Sequence, residues 1–132
     1  MKTFKNLFII SIVMLSLSVV LFSCKKEEHS HPSITISSPT SGQAFDGGDT
    51  VYVKANVTSE EEMHGWVVAI RKLPTKQVVF MDDVHDHLTE YNINTYWVNN
   101  LSAHSDMEVE VIAYIGHDGD STSKKVEFHS HM

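Results

Sequence analysis

Between Thr50 and Val57 the chain alternates strictly, with Val51, Val53, Ala55 and Val57 set against Tyr52, Lys54 and Asn56. Successive side chains on a β-strand point to opposite faces, so this period of two buries one face and leaves the other in water. The pattern recurs in short runs separated by turn residues. Ile34 and Ile36 alternate in Ser33–Ser37 before Pro39 and Gly42 break the run; Tyr91, Ile93, Thr95 and Trp97 share one side of Tyr91–Val98; Met107, Val109, Val111 and Ala113 oppose Glu108 and Glu110. Trp66–Lys72 and Val78–Met81 flank Leu73-Pro74-Thr75-Lys76-Gln77, the connection of a hairpin, and Ser121–Phe128 closes the series. No useful length of sequence carries the 3.6-residue apolar period of an amphipathic helix. These runs predict an all-β protein, a single antiparallel β-sandwich of about seven strands over residues 33–132. Val53, Val111 and Phe128 are expected in its core with Ile70 opposite them, and Trp66 or Trp97 packed between the sheets.

Cys24 is the only cysteine. Ahead of it, Lys2 and Lys5 precede an apolar run from Leu7 to Phe22, shorter than the ~20 residues of a bilayer-spanning helix. A basic start, a short apolar run and a small residue before Cys24 make a secretory signal peptide over 1–23. Leu21-Phe22-Ser23-Cys24 resembles a bacterial lipobox. That resemblance implies cleavage before Cys24, a diacylglycerol thioether on its sulfur, and the membrane as a partner through this lipid. Lys25 differs from the aspartate that retains lipoproteins in the inner membrane, and Lys25-Lys26-Glu27-Glu28 resembles the export signal of Bacteroidota surface lipoproteins. Residues 24–32 are then a polar tether on an outer-membrane lipoprotein, facing the periplasm or the cell exterior. With its one thiol acylated, the folded part has no disulfide and must rely on a packed core or bound metal.

The chain has 17 acidic and 10 basic residues, a formal net charge of −7, and cleavage removes Lys2 and Lys5 but no acid. Such a surface repels phosphate backbones and favours cations, which argues against nucleic acid as a partner. All nine histidines follow residue 23. His85 and His87 are separated by one residue, so on an extended strand their side chains point the same way about 6–7 Å apart. If the strands alternate in direction, the loop after Val57, the end of the Val78–Met81 strand and the Gly116–Asp120 turn share one end. That end gathers His64, His85, His87 and His117; His104, His129 and His131 belong to the other.

His64, His85, His87 and His117 are therefore the candidate metal ligands, with Asp83, Asp86 and Glu60-Glu61-Glu62 supplying negative charge or acceptors behind them. Imidazoles with carboxylates suit zinc, copper(II) or nickel, and Met63 and Met81 leave room for copper(I). Two other readings compete: solvated surface histidines, or a pH sensor gaining charge between about pH 5 and 8. His117-Asp118-Gly119-Asp120 reads as a turn, since a calcium loop needs more oxygen ligands.

The order Ser38-Pro39…Gly42…Phe45, then Gly48-Asp49-Thr50-Val51, then Val109–Ala113 followed by His117-Asp118-Gly119-Asp120 and Lys125-Val126-Glu127-Phe128, resembles bacterial immunoglobulin-like or fibronectin-III-like modules. The resemblance spans Ser33 to Phe128 and implies an immunoglobulin-like sandwich, a fold that hosts many unrelated functions. Gly-x-Ser-x-Gly, His-Glu-x-x-His and glycine-rich phosphate-loop patterns are missing, so no enzymatic activity is expected. Trp66, Trp97, Tyr91 and Tyr96 are a minor candidate for a sugar platform. The expected function is a surface-anchored, non-enzymatic lipoprotein binding a transition metal through clustered histidines; the alternative is a protein-interaction or adhesion module whose histidines are incidental.

Overall fold

A computed structural model describes residues 31–116 and 119–132. The expected signal peptide over 1–23, Cys24, the expected tether as far as Ser30, and His117 lie outside the described residues. Eight strands follow in order: β1 (Ser33–Ser38), β2 (Ala44–Phe45), β3 (Thr50–Met63), β4 (Gly65–Lys72), β5 (Gln77–Val84), β6 (Leu88–Val98), β7 (Ser105–Tyr114) and β8 (Ser121–Ser130). They form a three-stranded sheet, β1-β3-β6, and a five-stranded sheet, β2-β8-β7-β4-β5. All pairings are antiparallel except the two-residue contact of β2 with β8. This is the all-β sandwich that the alternation predicts, with β2 as an addition too short to show a period.

The two-residue period places the core. Val51, Val53, Ala55 and Val57 of β3 and Tyr91, Ile93 and Trp97 of β6 line one inner face; Val68 and Ile70 of β4, Met107, Val109, Val111 and Ala113 of β7, and Phe128 of β8 line the other. Val53, Val111, Phe128 and Ile70 are all fully buried. The expectation that Ile70 stands opposite the other three is corrected by the register. Ile70 pairs with Val109 in the sheet that also holds Val111 and Phe128, so of the three only Val53 faces it across the sandwich. Trp97 is buried, while Trp66 packs half-covered against the edge of the core.

The strands outrun their apolar patterns. β3 continues through Glu60-Glu61-Glu62 to a fully buried Met63, after an irregularity in its pairing with β6 between Thr58 and Met63. β5 likewise continues through Asp82-Asp83 to Val84. Backbone pairing needs no apolar side chains, so Asp82 and Asp83 still extend the ladder with β4, whereas Glu60-Glu61-Glu62 bulge between the Thr58 and Met63 rungs. On the outer face of the larger sheet, Glu108 and Glu110 are held among Arg71, Lys76 and Lys125. Burial alone would raise the Glu108 carboxyl, yet hydrogen bonds and charge from Lys76 and Lys125 outweigh it and hold it below the ordinary carboxylate value.

Candidate functional site

Two chain crossings between the sheets meet at one end of the sandwich. The first passes from β3 to β4 through a single residue, His64; the second passes from β5 to β6 through His85, Asp86 and His87. Met63, the last residue of β3, pairs with Leu88, the first of β6, which sets the neighbouring His64 and His87 side by side. Their ring centroids are 4.4 Å apart, edge to face. His85 stands 5.4 Å from His87 and 6.5 Å from His64.

Glycine brings the third ring in. Gly65 follows His64 with φ at +123°, and a Cβ built on it would lie 2.1 Å from the Val84 carbonyl oxygen and 3.0 Å from the Cα of His85. Only a residue without a side chain lets the end of β5 run this close to the start of β4. Tyr91, inward-facing on β6, ties the two crossings together: its hydroxyl donates to the carbonyl of Asp86 at 2.5 Å and lies 3.4 Å from that of Met63. Burial pushes this phenol above its ordinary value, and the carboxylates of Asp86 and Glu62 push it further against the backbone donors of Leu88 and Gly65, so it remains a donor.

His85 and His87 occupy the crossing itself, not a strand edge as the one-residue spacing suggests. Both are exposed, whereas His64 is partly buried and donates its backbone N–H to the Tyr114 carbonyl. An imidazole nitrogen binds zinc at about 2.0–2.1 Å, so two rings on one tetrahedral ion have centroids about 5 Å apart. The three observed separations bracket that value. As placed, no three or more His, Cys, Asp or Glu side chains among the described residues are set to hold a metal ion. Capture therefore requires rings to turn, which the exposed His85 and His87 can do.

Of the fourth candidate, His117, the flanking chain is described: β7 ends at Tyr114 and β8 begins at Ser121, and Tyr114 pairs with Gly65 at this same end. β1 also starts here, with Ser33 against Thr58, so the chain enters the sandwich at the histidine end. Among the aromatic residues considered for sugar binding, Tyr91 and Trp97 are buried and Trp66 is partly so; Tyr96 alone is exposed, beside Tyr52 at 6.1 Å. The sequence reading missed Gly65 and the tying role of Tyr91; the sole hint was a Gly directly after a His at the start of an apolar run.

No family model matches the chain, and no curated protein matches it. Among solved structures it is similar to the fibronectin(III)-like modules of CbhA from Clostridium thermocellum, with a TM-score of 0.50 and 15% sequence identity, covering 75% of this chain and 96% of that one. At that identity the likeness is one of fold: the chain carries a fibronectin-III-like β-sandwich.

Proposed function

We propose that this protein is a non-enzymatic, lipid-anchored module that binds a transition metal ion at the end of its sandwich nearest the tether. The observation that carries the reading is the meeting of His64, His85 and His87, from two separate chain crossings, within 6.5 Å of one another. Imidazole nitrogens select zinc, copper(II) or nickel, and the acidic residues at this end, Glu60, Glu61, Glu62, Asp83 and Asp86, lower the cost of bringing a cation in. His117 is the proposed fourth ligand. Acylation at Cys24 places the module at the outer membrane, on its periplasmic or its external side.

The test is calorimetric titration of the full chain with zinc, copper(II) and nickel, alone and after His85→Ala with His87→Ala. A saturable site that the double substitution weakens at least tenfold supports the reading. Binding that the substitution leaves unchanged refutes this site. Anchoring is tested separately by Cys24→Ser, which should leave the precursor uncut and unlabelled by radioactive fatty acid.

A second reading has its own observation. The outer face of the three-stranded sheet presents exposed Tyr52 and Tyr96 beside an amide ladder in which Asn56 donates to Asn92 and Glu90. Tyrosine and asparagine on a flat, partly neutral surface suit a protein partner. Absence of metal binding, with Tyr52→Ala abolishing capture of a surface partner, would make this the better account.

A further inference from the structure

The opposite end of the sandwich holds a second histidine cluster, built differently from the first. His104 precedes β7, while His129 and His131 belong to the end of β8 and the residue after it; together with Asp106 they line one shallow groove. The rings of His104 and His131 lie 5.3 Å apart at 70°, again close to the ~5 Å of two imidazoles sharing a tetrahedral ion.

Two carboxylates stand behind these rings. Asp106 Oδ1 is 2.8 Å from Nδ1 of His129, and Asp46 Oδ1 is 3.8 Å from Nδ1 of His131. An ionised carboxylate only accepts, so in the neutral ring of His129 the proton sits on Nδ1 and the lone pair on Nε2. Asp46, at 3.8 Å, is beyond hydrogen-bond distance of His131 and contributes only negative charge beside it. The Asp106–His129 pair is the arrangement by which a carboxylate fixes the orientation and tautomer of a metal-ligating histidine.

The backbone under the groove is rigidly held. Asn99, fully enclosed at the end of β6, donates through Nδ2 to the carbonyls of Asp46 at 3.1 Å and His131 at 3.5 Å, and its Oδ1 accepts from Ser130 at 2.9 Å. The N–H of His131 donates to the Phe45 carbonyl at 2.8 Å, and that of His129 to Gln43 at 2.8 Å. One buried amide thus fixes His131 and Asp46 relative to each other, while the rings of His129 and His131, about half exposed, can still turn toward an ion.

We infer that His104 and His131, with His129 as the third ligand, form a second transition-metal site, independent of the first and directed away from the membrane tether. Ligands of this kind take zinc, copper(II) or nickel and reject calcium and magnesium, which prefer oxygen. The proposal does not rest on the first site.

The test uses the full chain carrying His85→Ala and His87→Ala, titrated with zinc ion alone and with copper(II) alone. One equivalent should still bind. Adding His104→Ala and His131→Ala should weaken that binding at least tenfold, and calcium should not compete. Asp106→Asn, which keeps the side-chain shape but removes the charge behind His129, should weaken it by about tenfold, the lower end of the effect of losing such a partner. Long-range ¹⁵N–¹H correlation spectra of the metal-free chain should show Nδ1–H at His129. The inference is overturned if the His85/His87 variant binds no metal, if removing His104 and His131 leaves its binding unchanged, or if calcium binds equally well. Retention of both equivalents after His85→Ala and His87→Ala would instead refute the first site and leave the second standing.

Discussion

Replacing Gly65 by alanine tests whether the approach of β5 to β4 is what assembles the histidine end. Two costs add. At φ +123° an alanine is held in a region used almost only by glycine, worth about 1–3 kcal/mol. Its Cβ would also sit 2.1 Å from the Val84 carbonyl oxygen, where ordinary contact begins at 3.4 Å, so that carbonyl must retreat by more than an ångström. The obstructing atoms are backbone and cannot rotate away. Val84 pairs with Trp66 in the last rung of the β4–β5 ladder, and losing one such hydrogen bond costs about 1 kcal/mol. Together these give a loss of roughly 2–4 kcal/mol, a fall in melting temperature on the order of 10–25 °C for a domain of this size. Gly42→Ala is the control: its φ is also positive, at +73°, but no atom of the described residues lies within 4 Å of the new Cβ, so it should cost only about 1 kcal/mol. Thermal and urea denaturation measure both variants, and ring-proton contacts report the geometry. His64–His85 contacts should weaken, while His64–His87 contacts, held by the Met63–Leu88 pairing, persist. If Gly65→Ala were no more damaging than Gly42→Ala, the close approach would not be holding this end together.

Four further outcomes follow from the packing. Val111→Ala removes two methyl groups from a fully enclosed position and should lower stability by about 1–3 kcal/mol in urea denaturation; an unchanged midpoint would contradict its burial. Asn99→Ala leaves the carbonyls of Phe45 and Asp46 without their side-chain donor and should cost about 2–4 kcal/mol, with faster amide exchange at the end of β8. Tyr91→Phe keeps the ring but removes the donor to Asp86, so about 1 kcal/mol of stability should be lost, with new mobility confined to Asp86–Leu88 in relaxation measurements. Because the folded Glu108 carboxyl is held below its ordinary value, its stabilisation is complete above about pH 4.3 and disappears as pH falls through the lowered value. Glu108→Gln should therefore be less stable than wild type at neutral pH, and the gap should close in acid.

The sandwich was legible because its core strands bury one face and expose the other. Thr50–Val57 alternates throughout, Met107–Ala113 does so except at the apolar Ile112, and each alternation translates into inner and outer residues. What stayed hidden was structure made by backbone alone. β2 has two residues, too few for a period, and is identified only by its pairing with β8. The Glu60-Glu61-Glu62 segment reads as a loop by charge, yet lies within β3, whose pairing with β6 skips from Thr58 to Met63 across it. Ile70 was placed correctly in depth and wrongly in sheet. Alternation says which side of a strand is inside, whereas membership of a sheet is decided by pairings between distant segments.

The histidine ends show the same division. That His64, His85 and His87 share an end follows from strand direction, which needs only the number of reversals between them. That their rings come within contact depends on two details no periodicity carries: a glycine whose missing side chain admits the Val84 carbonyl, and a single residue bridging the sheets between Met63 and Gly65. The far end depends on Asn99, an ordinary residue at the close of a strand until its amide is seen joining two distant segments, at Phe45 and at Ser130-His131. In both places the histidines lie at or beyond the strand ends, where all but the partly buried His64 escape the burial that would strip their solvation. A sandwich of this kind keeps its core free of polar groups by sending them to its ends, and the crossings and strand ends there decide whether they meet.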